Sequence, residues 1–399
     1  MHSTRIAARR TLRVPLVFVL MLVWLTGRAA VNPADESGLL ARLLQSAPAF
    51  APVLADATQY EIQILYTRVE GKAFVTHGYQ VDPARYFYPA STVKLPIAVL
   101  ALEKLAALGI KGLDRDAEFL IDAGTESQTA AMADQSTPTG RPSVGHYIHK
   151  LLVVSDNDAF NRLYEFLGQA AIESRMRLHG YHQARILHRL GIPLTLAENR
   201  TTNPLSFRVD GRTVYSQPLI QSVAQWMPAE PILRGQAYFN AAGEKVESPF
   251  DFTWKNFYPL AEQQALLREI IYPTGRFQLG EGDLEFLRSR LSMLPRESEW
   301  PLYPVDEYTD GHVKFLMLGG EGDMPPNIRI YNKIGQAYGY LIDNAYIVDE
   351  AAGIEFFLAA VINVNRNRTY NDDDYEYDTI GLPFMRDLGQ LIYAYERSR

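Results

Sequence analysis

The chain has 399 residues, 47% of them hydrophobic and 21% charged, which is enough apolar material for a two-lobed domain and too much for disorder. Its formal charge is −7, and the first 29 residues hold five arginines and no acid, leaving −12 on the rest; so acidic a body argues against nucleic acid as a ligand. Cysteine is absent, which excludes disulfides, thiolate catalysis, cysteine-ligated metals and a lipidated N-terminal cysteine.

Residues 1–29 read as an export signal: Arg5, Arg9, Arg10 and Arg13 precede the apolar run Val14 to Thr26, and Gly27-Arg28-Ala29 supplies small residues for cleavage. A periplasmic or secreted domain over 30–399 is expected, touching a membrane only if the leader stays uncleaved as an anchor. Asp35 to Gln45 then predicts a helix through Leu39, Leu40, Leu43 and Leu44. Tyr60 to Val69 and Ala73 to Tyr79 predict a hairpin across Glu70-Gly71-Lys72. Pro89 to Pro96 opens an alanine- and leucine-rich helix reaching Leu108, where Gly109 ends it.

From Ala117 to about Leu190 the pattern is helical, broken by a polar loop around Ser136 to Ser143. Phe207 to Tyr215 and Ala237 to Val246 each place a glycine turn between strand formers. Leu260 to Ile271 and Asp283 to Leu294 return to helix. Ile328 to Ile334, Gly339 to Val348 and Ile354 to Val364 read as strands, and Leu382 to Tyr395 as the last helix. The fold class is therefore α/β (α+β): an antiparallel sheet formed from both chain ends and flanked by helices. Its α/β part covers about 30–110 and 327–399, and a helical lobe is inserted over about 111–326, enlarged over about 205–300.

Three short motifs follow in order: Ser91-Thr92-Val93-Lys94, Ser155-Asp156-Asn157 and Lys333-Ile334-Gly335. From composition the first spacing arises by chance on the order of once in a chain this long, and the second in about one chain in ten, so their order and context carry the weight. A serine hydroxyl needs a base, and an amine three residues on along a helix lies on the same face. Lysine can be that base when burial or a nearby cation lowers its pKa, and Lys333 would be that cation. Ser155 can relay a proton, Asn157 can orient Lys94 and a substrate amide, and the backbone N–H groups of Ser91 and Gln336 can form an oxyanion hole beside Gly335.

Taken together these motifs resemble the class A β-lactamase and penicillin-binding protein superfamily, whose signature is S-x-x-K, S-D-N and K-T-G. Asn199 to Pro204 is similar to the end of that family's omega loop, and Lys333 to Val348 to its terminal strand pair. The resemblance implies Ser91 as acylating nucleophile, Lys94 as its proton-handling partner and Ser155 as a relay. Asn157, Lys333, Gly335 and Gln336 would bind substrate. The stretch between Pro204 and Lys333 is longer than the family has there, by about 80 residues.

The sequence also departs from the family. The omega-loop glutamate that activates the deacylating water has no counterpart in His182 to Leu194, and Glu198 is the nearest candidate. Ile334 replaces the central hydroxyl of K-T-G, and Asp343-Asn344 stands where a carboxylate-binding arginine is usual. A serine hydrolase of lactam amides in the cell envelope is expected, as a monomer acting on a β-lactam or peptidoglycan-like acyl donor without cofactor. The alternatives are a penicillin-binding-protein-like peptidase, transpeptidase or esterase with slow deacylation, and a catalytically silent envelope binding protein. His179, His182 and His188 read as helix-surface residues rather than metal ligands, and Asp372 to Asp374 as a solvated turn. Trp226, Tyr238, Phe239, Phe250, Phe252, Trp254, Phe257 and Tyr258 read as the core of the added lobe.

Overall fold

A computed structural model describes residues 38–124, 129–223 and 226–399, within one unit spanning Asn32–Arg399. Residues 1–29, read from the sequence as an export signal, lie outside the described residues. Helix α1 (Leu39–Ser46) and the single turn α2 (Ala51–Leu54) lead into strands β1 (Gln63–Glu70) and β2 (Ala73–Tyr79), paired as the expected hairpin with Glu70 opposite Ala73. Helix α3 (Lys94–Leu108) is apolar apart from Lys94, Glu103 and Lys104. It buries eleven of its fifteen residues, as a helix running through a core must, and Gly109 ends it at φ 61°.

The long helical run expected over 117–190 is corrected. It contains strand β3 (Glu118–Ile121), three helices, α4 (Val144–Val153), α5 (Asn157–Leu167) and α6 (Gln169–Leu178), and an irregular loop after α6. The short turn α7 (Leu196–Arg200) closes that loop. Strand β3 forms because β4 (Leu205–Val209), itself hairpinned to β5 (Arg212–Gln217), pairs with it across nearly ninety residues of sequence and stacks Phe207 on Phe119 at 4.7 Å. Local propensity does not register a partner so distant.

The enlarged middle is likewise not purely helical. Short strands β6 (Leu233–Arg234), β7 (Ala237–Phe239), β8 (Lys245–Val246) and β9 (Phe250–Asp251) precede helices α8 (Leu260–Ile271) and α9 (Glu281–Ser292). Phe252, Phe257 and Tyr258 are buried, and Phe250 and Phe252 pack on Tyr338 at 5.6 and 5.4 Å. Tyr338 in turn meets Tyr88 edge-on at 5.0 Å. The insertion thus shares one aromatic cluster with the segment just before Ser91.

The single turn α10 (Phe315–Leu318) is followed by β10 (Ile328–Ala337), β11 (Tyr340–Asp349), β12 (Ile354–Asn363), β13 (Thr369–Tyr370) and α11 (Leu382–Arg397). The main sheet runs β10-β11-β12-β1-β2, antiparallel throughout, so both chain ends build it. Ile328, Ile330 and Ile334 of β10 join Ile64, Tyr66, Phe384, Leu388 and Ile392 in one core, the face covered by α1 and α11. Side chains alternate along a strand, so Lys333 and Gly335 point to the opposite face. Strand β10 is an edge, and that edge lies along the start of α3.

Candidate active site

Residues Ala90–Val93 form a tight 3-10 turn that feeds directly into α3. Ala90 is held at φ 48°, a left-handed conformation costly for a residue with a Cβ. From Tyr86 to Glu103 every residue is buried except Ser91. The strained turn therefore presents one hydroxyl to solvent from an otherwise closed segment. Strand β10 comes up against it: a Cβ added to Gly335 would stand 2.7 Å from Pro89 O and 3.2 Å from Ser91 N. Only glycine allows this approach, and the exposed Gln336 follows it along the edge.

Lys94 Nζ lies 2.9 Å from Ser91 Oγ, 2.7 Å from Asn157 Oδ1 and 3.1 Å from Ser155 Oγ, and also donates to Ser155 O. Lys333 Nζ lies 2.9 Å from the same Ser155 Oγ and donates to Ile334 O at 3.0 Å. Ser155 is thus the hydroxyl between two amines. It sits at φ 62°, before Asp156 caps α5 by accepting from Ala159 N at 2.7 Å. The cap fixes where α5 starts, and Asn157, its first residue, faces the cleft with an exposed side chain.

Both amines are out of water, Lys94 at 0% and Lys333 at 2% exposure. Burial first, then the neighbouring Lys333 charge, holds Lys94 well below the ordinary lysine range against a smaller opposing pull from Asp156. Burial pushes Lys333 down to about 7, with Asp343 pulling it up and Lys314 pushing it down. Lys94 hydrogen-bonds to oxygens only, and Asp156 is committed to its cap and to Lys150 at 3.8 Å. An amine so placed can take a proton from Ser91.

The loop from Gly180 to Asn203 borders the site from the other side. Asn161 clasps it, donating to Leu190 O and accepting from Leu190 N, both at 2.9 Å. A Cβ on Gly191, at φ 71°, would lie 3.0 Å from Asn157 Nδ2. Gly191 is therefore the loop residue set against Asn157, and the sequence 182–194 offers no carboxylate. Glu198 forms a capping box with Thr195, its Oε2 accepting from Thr195 N and Oγ1 at 2.7 Å each. Arg189, 2% exposed, ties the loop down through Glu165 at 3.3 Å and the carbonyls of Glu198 and Thr201.

Some site features were not visible in the motifs. Ile334 is buried with its side chain in the core on the far face, so it leaves no hydroxyl there and no bulk in the cleft. Beside it, Asn332 donates to Asp343 Oδ1 at 2.8 Å and accepts from Lys314 Nζ at 2.7 Å, all three buried. Asn161 and Asn332 carry no motif, and only their reciprocal hydrogen bonds expose their roles. The histidines are not a helix-surface set, which corrects that expectation. His179 is buried against Glu103 at 3.0 Å, His188 stacks on Tyr88, and His182 is exposed. They disperse because they fall at the end of α6 and in the loop, where no helical spacing holds. Among the described residues no group of three or more His, Cys, Asp or Glu could hold a metal ion, and no helix is long and apolar enough to cross a membrane. A cavity of about 620 Å³ beside His146 and Trp300 is lined by none of Ser91, Lys94, Ser155, Asn157 and Lys333.

Residues 46–216, which carry Ser91, Lys94, Ser155 and Asn157, match the model of the β-lactamase enzyme family. The fold is similar to that of a β-lactamase from Desulfarculus baarsii, with a TM-score of 0.51 at 16% identity over 90% of this chain and 98% of that one. It is also similar to the TLA-3 extended-spectrum β-lactamase, with a TM-score of 0.52 at 12% identity over 89% and 98% of the two chains. PBP-A is matched with a TM-score of 0.50 at 14% identity over 89% and 97%. No curated protein matches the sequence. The segment that matches the family model is the one that folds into the turn, helix and cap around Ser91, and around it the chain has the fold of the β-lactamases and of PBP-A.

Proposed function

We propose that the chain acts outside the cytoplasm as a hydrolase that forms an acyl-enzyme through Ser91 on a lactam amide, as found in a β-lactam. The observation that carries this reading is the buried Lys94 amine 2.9 Å from the one solvent-facing hydroxyl of its segment. Neutral Lys94 takes the proton of Ser91 as its oxygen attacks the carbonyl carbon. The developing oxyanion is received by the backbone N–H groups of Ser91 and Gln336. As the carbon–nitrogen bond breaks, the leaving nitrogen takes a proton from Ser155, which is replenished through the amines 3.1 and 2.9 Å away. Asn157 holds Lys94 by its carbonyl oxygen and has its amide nitrogen to offer to the substrate.

A second reading, a penicillin-binding-protein-like peptidase, transpeptidase or esterase, is favoured by the loop beside Asn157, which sets Gly191 against it and has no carboxylate from 182 to 194. Water attack on the acyl-enzyme needs a base, and Glu198 has its carboxylate engaged by Thr195. Exposure to a fluorescent penicillin followed by intact-mass spectrometry tests both. A Ser91-dependent adduct that persists supports slow deacylation, and turnover of a chromogenic cephalosporin supports the lactamase reading. Lack of any adduct or turnover beyond that of Ser91→Ala removes both.

A further inference from the structure

Behind the strand that carries Lys333 lies a buried charged relay that the acylation chemistry does not use directly. Lys314 Nζ is 2% exposed and donates to Leu291 O at 2.8 Å, Ile330 O at 2.9 Å and Asn332 Oδ1 at 2.7 Å, so all three of its hydrogens are placed. Asn332 Nδ2 donates to Val313 O at 2.9 Å and to Asp343 Oδ1 at 2.8 Å. Asp343, at 0% exposure, completes its shell by accepting from Leu316 N at 3.0 Å. A buried carboxylate and a buried ammonium joined through one amide are strongly felt by any third charge nearby, because little water screens them.

The third charge is Lys333. It stands between Asn332 and Ile334 on β10, and Asp343 is the direct partner of Ile334 on β11. Three lysines, Lys94, Lys333 and Lys314, are buried around this corner of the sheet, with Asp343 the carboxylate buried among them. We propose that Asp343 is the positioning counter-ion that keeps Lys333 protonated beside Ser155, and that Lys314, coupled through Asn332, limits how strongly it does so. This rests on the acylation reading above. The place where related enzymes are expected to carry an arginine thereby gains a different role. The charge that anchors an acyl donor stays on Lys333, and Asp343 maintains it from the far face of the sheet. The opposing influences of Asp343 and Lys314 on Lys333 agree with this arrangement, as does the reciprocal effect of Lys333 on Asp343. Other charges facing the assembly are Lys94 across the cleft, His312 in the preceding turn, and the ion pairs Arg329–Glu297 at 2.9 Å and Arg296–Asp310 at 2.8 Å.

A direct titration of Lys333 requires no substrate. The full-length protein is labelled at lysine Cε, the Lys333 signal is assigned with Lys333→Arg, and its protonation is followed by NMR from pH 5 to 11. Asp343→Asn is expected to lower the Lys333 midpoint by about one pH unit and Lys314→Met to raise it by a similar amount, the scale of a close charge. Opposite displacements from two buried substitutions cannot come from general loosening. Should Asp343→Asn fail to fold, Lys314→Met alone decides. Midpoints that stay in place, or move in the same direction, overturn the proposal. The alkaline limb of penicillin acylation should follow the same two displacements. If the wild-type protein forms no adduct, the acylation reading fails while the NMR titration still decides the role of Asp343.

Discussion

Gly335 touches the turn of Ser91 so closely that no side chain fits between them, since the Cβ of any other residue would fall 2.7 Å from Pro89 O and 3.2 Å from Ser91 N. The backbone at either side cannot yield without parting the N–H groups of Ser91 and Gln336, the oxyanion donors of the proposed reaction. Gly335→Ala is therefore expected to lower the acylation rate constant by about ten- to a hundredfold, since a displacement near 1 Å costs on this scale. Substrate-independent properties such as the far-ultraviolet circular dichroism should hardly change. Stopped-flow acylation with a reporter cephalosporin makes the comparison, and a variant as fast as wild type would show that the close approach is incidental.

Lys94→Arg keeps the positive charge and most of the length but cannot lose its proton at any working pH. Acylation should fall by about 10²- to 10⁴-fold, the usual value of a positioned general base. In the wild type the rate should climb with pH as Lys94, held well below the ordinary lysine range by burial and by Lys333, gives up its proton. It should decline again as Lys333 deprotonates around 7. A bell-shaped profile of acylation against pH is the expected result. A profile flat from pH 5 to 9 would exclude both lysines from the chemistry.

Much of this centre was legible in the sequence because the proposed chemistry needs fixed spacings: a step of three from Ser91 to Lys94 across the turn that opens α3, and a cap at Asp156 that sets Asn157. The terminal strands were legible for a similar reason, since Ile354 to Asn363 is apolar on both faces and could only be central. Strand β3 was not, because Glu118 to Ile121 pairs with residues beyond Pro204 and nothing local announces it. The loop from Gly180 to Asn203 was not legible either, being held by single side chains, Asn161 and Arg189, instead of by periodicity.

Arg189 and Glu165 form a nearly dry ion pair at 3.3 Å, with side chains 1% and 4% exposed. Removing one partner strands the other. Arg189→Ala is expected to destabilise the protein by about 3–5 kcal/mol, the range for breaking a buried pair from one side. Because Arg189 also donates to the carbonyls of Glu198 and Thr201, the loop should exchange its amide hydrogens faster before global unfolding. Urea denaturation gives the first quantity and hydrogen exchange the second. A stability within about 0.5 kcal/mol of wild type would mean that water replaces the lost guanidinium.

Stability should itself vary with pH in a direction set by the buried lysines. Burial holds both Lys333 and Lys314 at about 7 in the folded protein, whereas an unfolded chain keeps lysine protonated to about 10.4. Between these limits the unfolded state binds the extra protons, so raising the pH favours the native state by about 1.4 kcal/mol per pH unit for each lysine. Asp343 acts oppositely over a lower window. Burial raises its carboxyl to about 6, so between about 4 and 6 the native state holds a proton that the unfolded state has released, and stability falls as pH rises. The lysines and Asp343 together should leave a minimum in their contribution near pH 6 to 7. Urea midpoints from pH 4 to 10 check the shape, with Lys314→Met expected to lose only its own share of the alkaline rise, about 1.4 kcal/mol per pH unit, because Lys94, Lys104 and Lys333 are also held below the ordinary lysine range by burial. An alkaline limb of unchanged slope in that variant would show that Lys314 keeps its proton in the folded protein as it does in the unfolded chain, and so would disprove the effect of its burial.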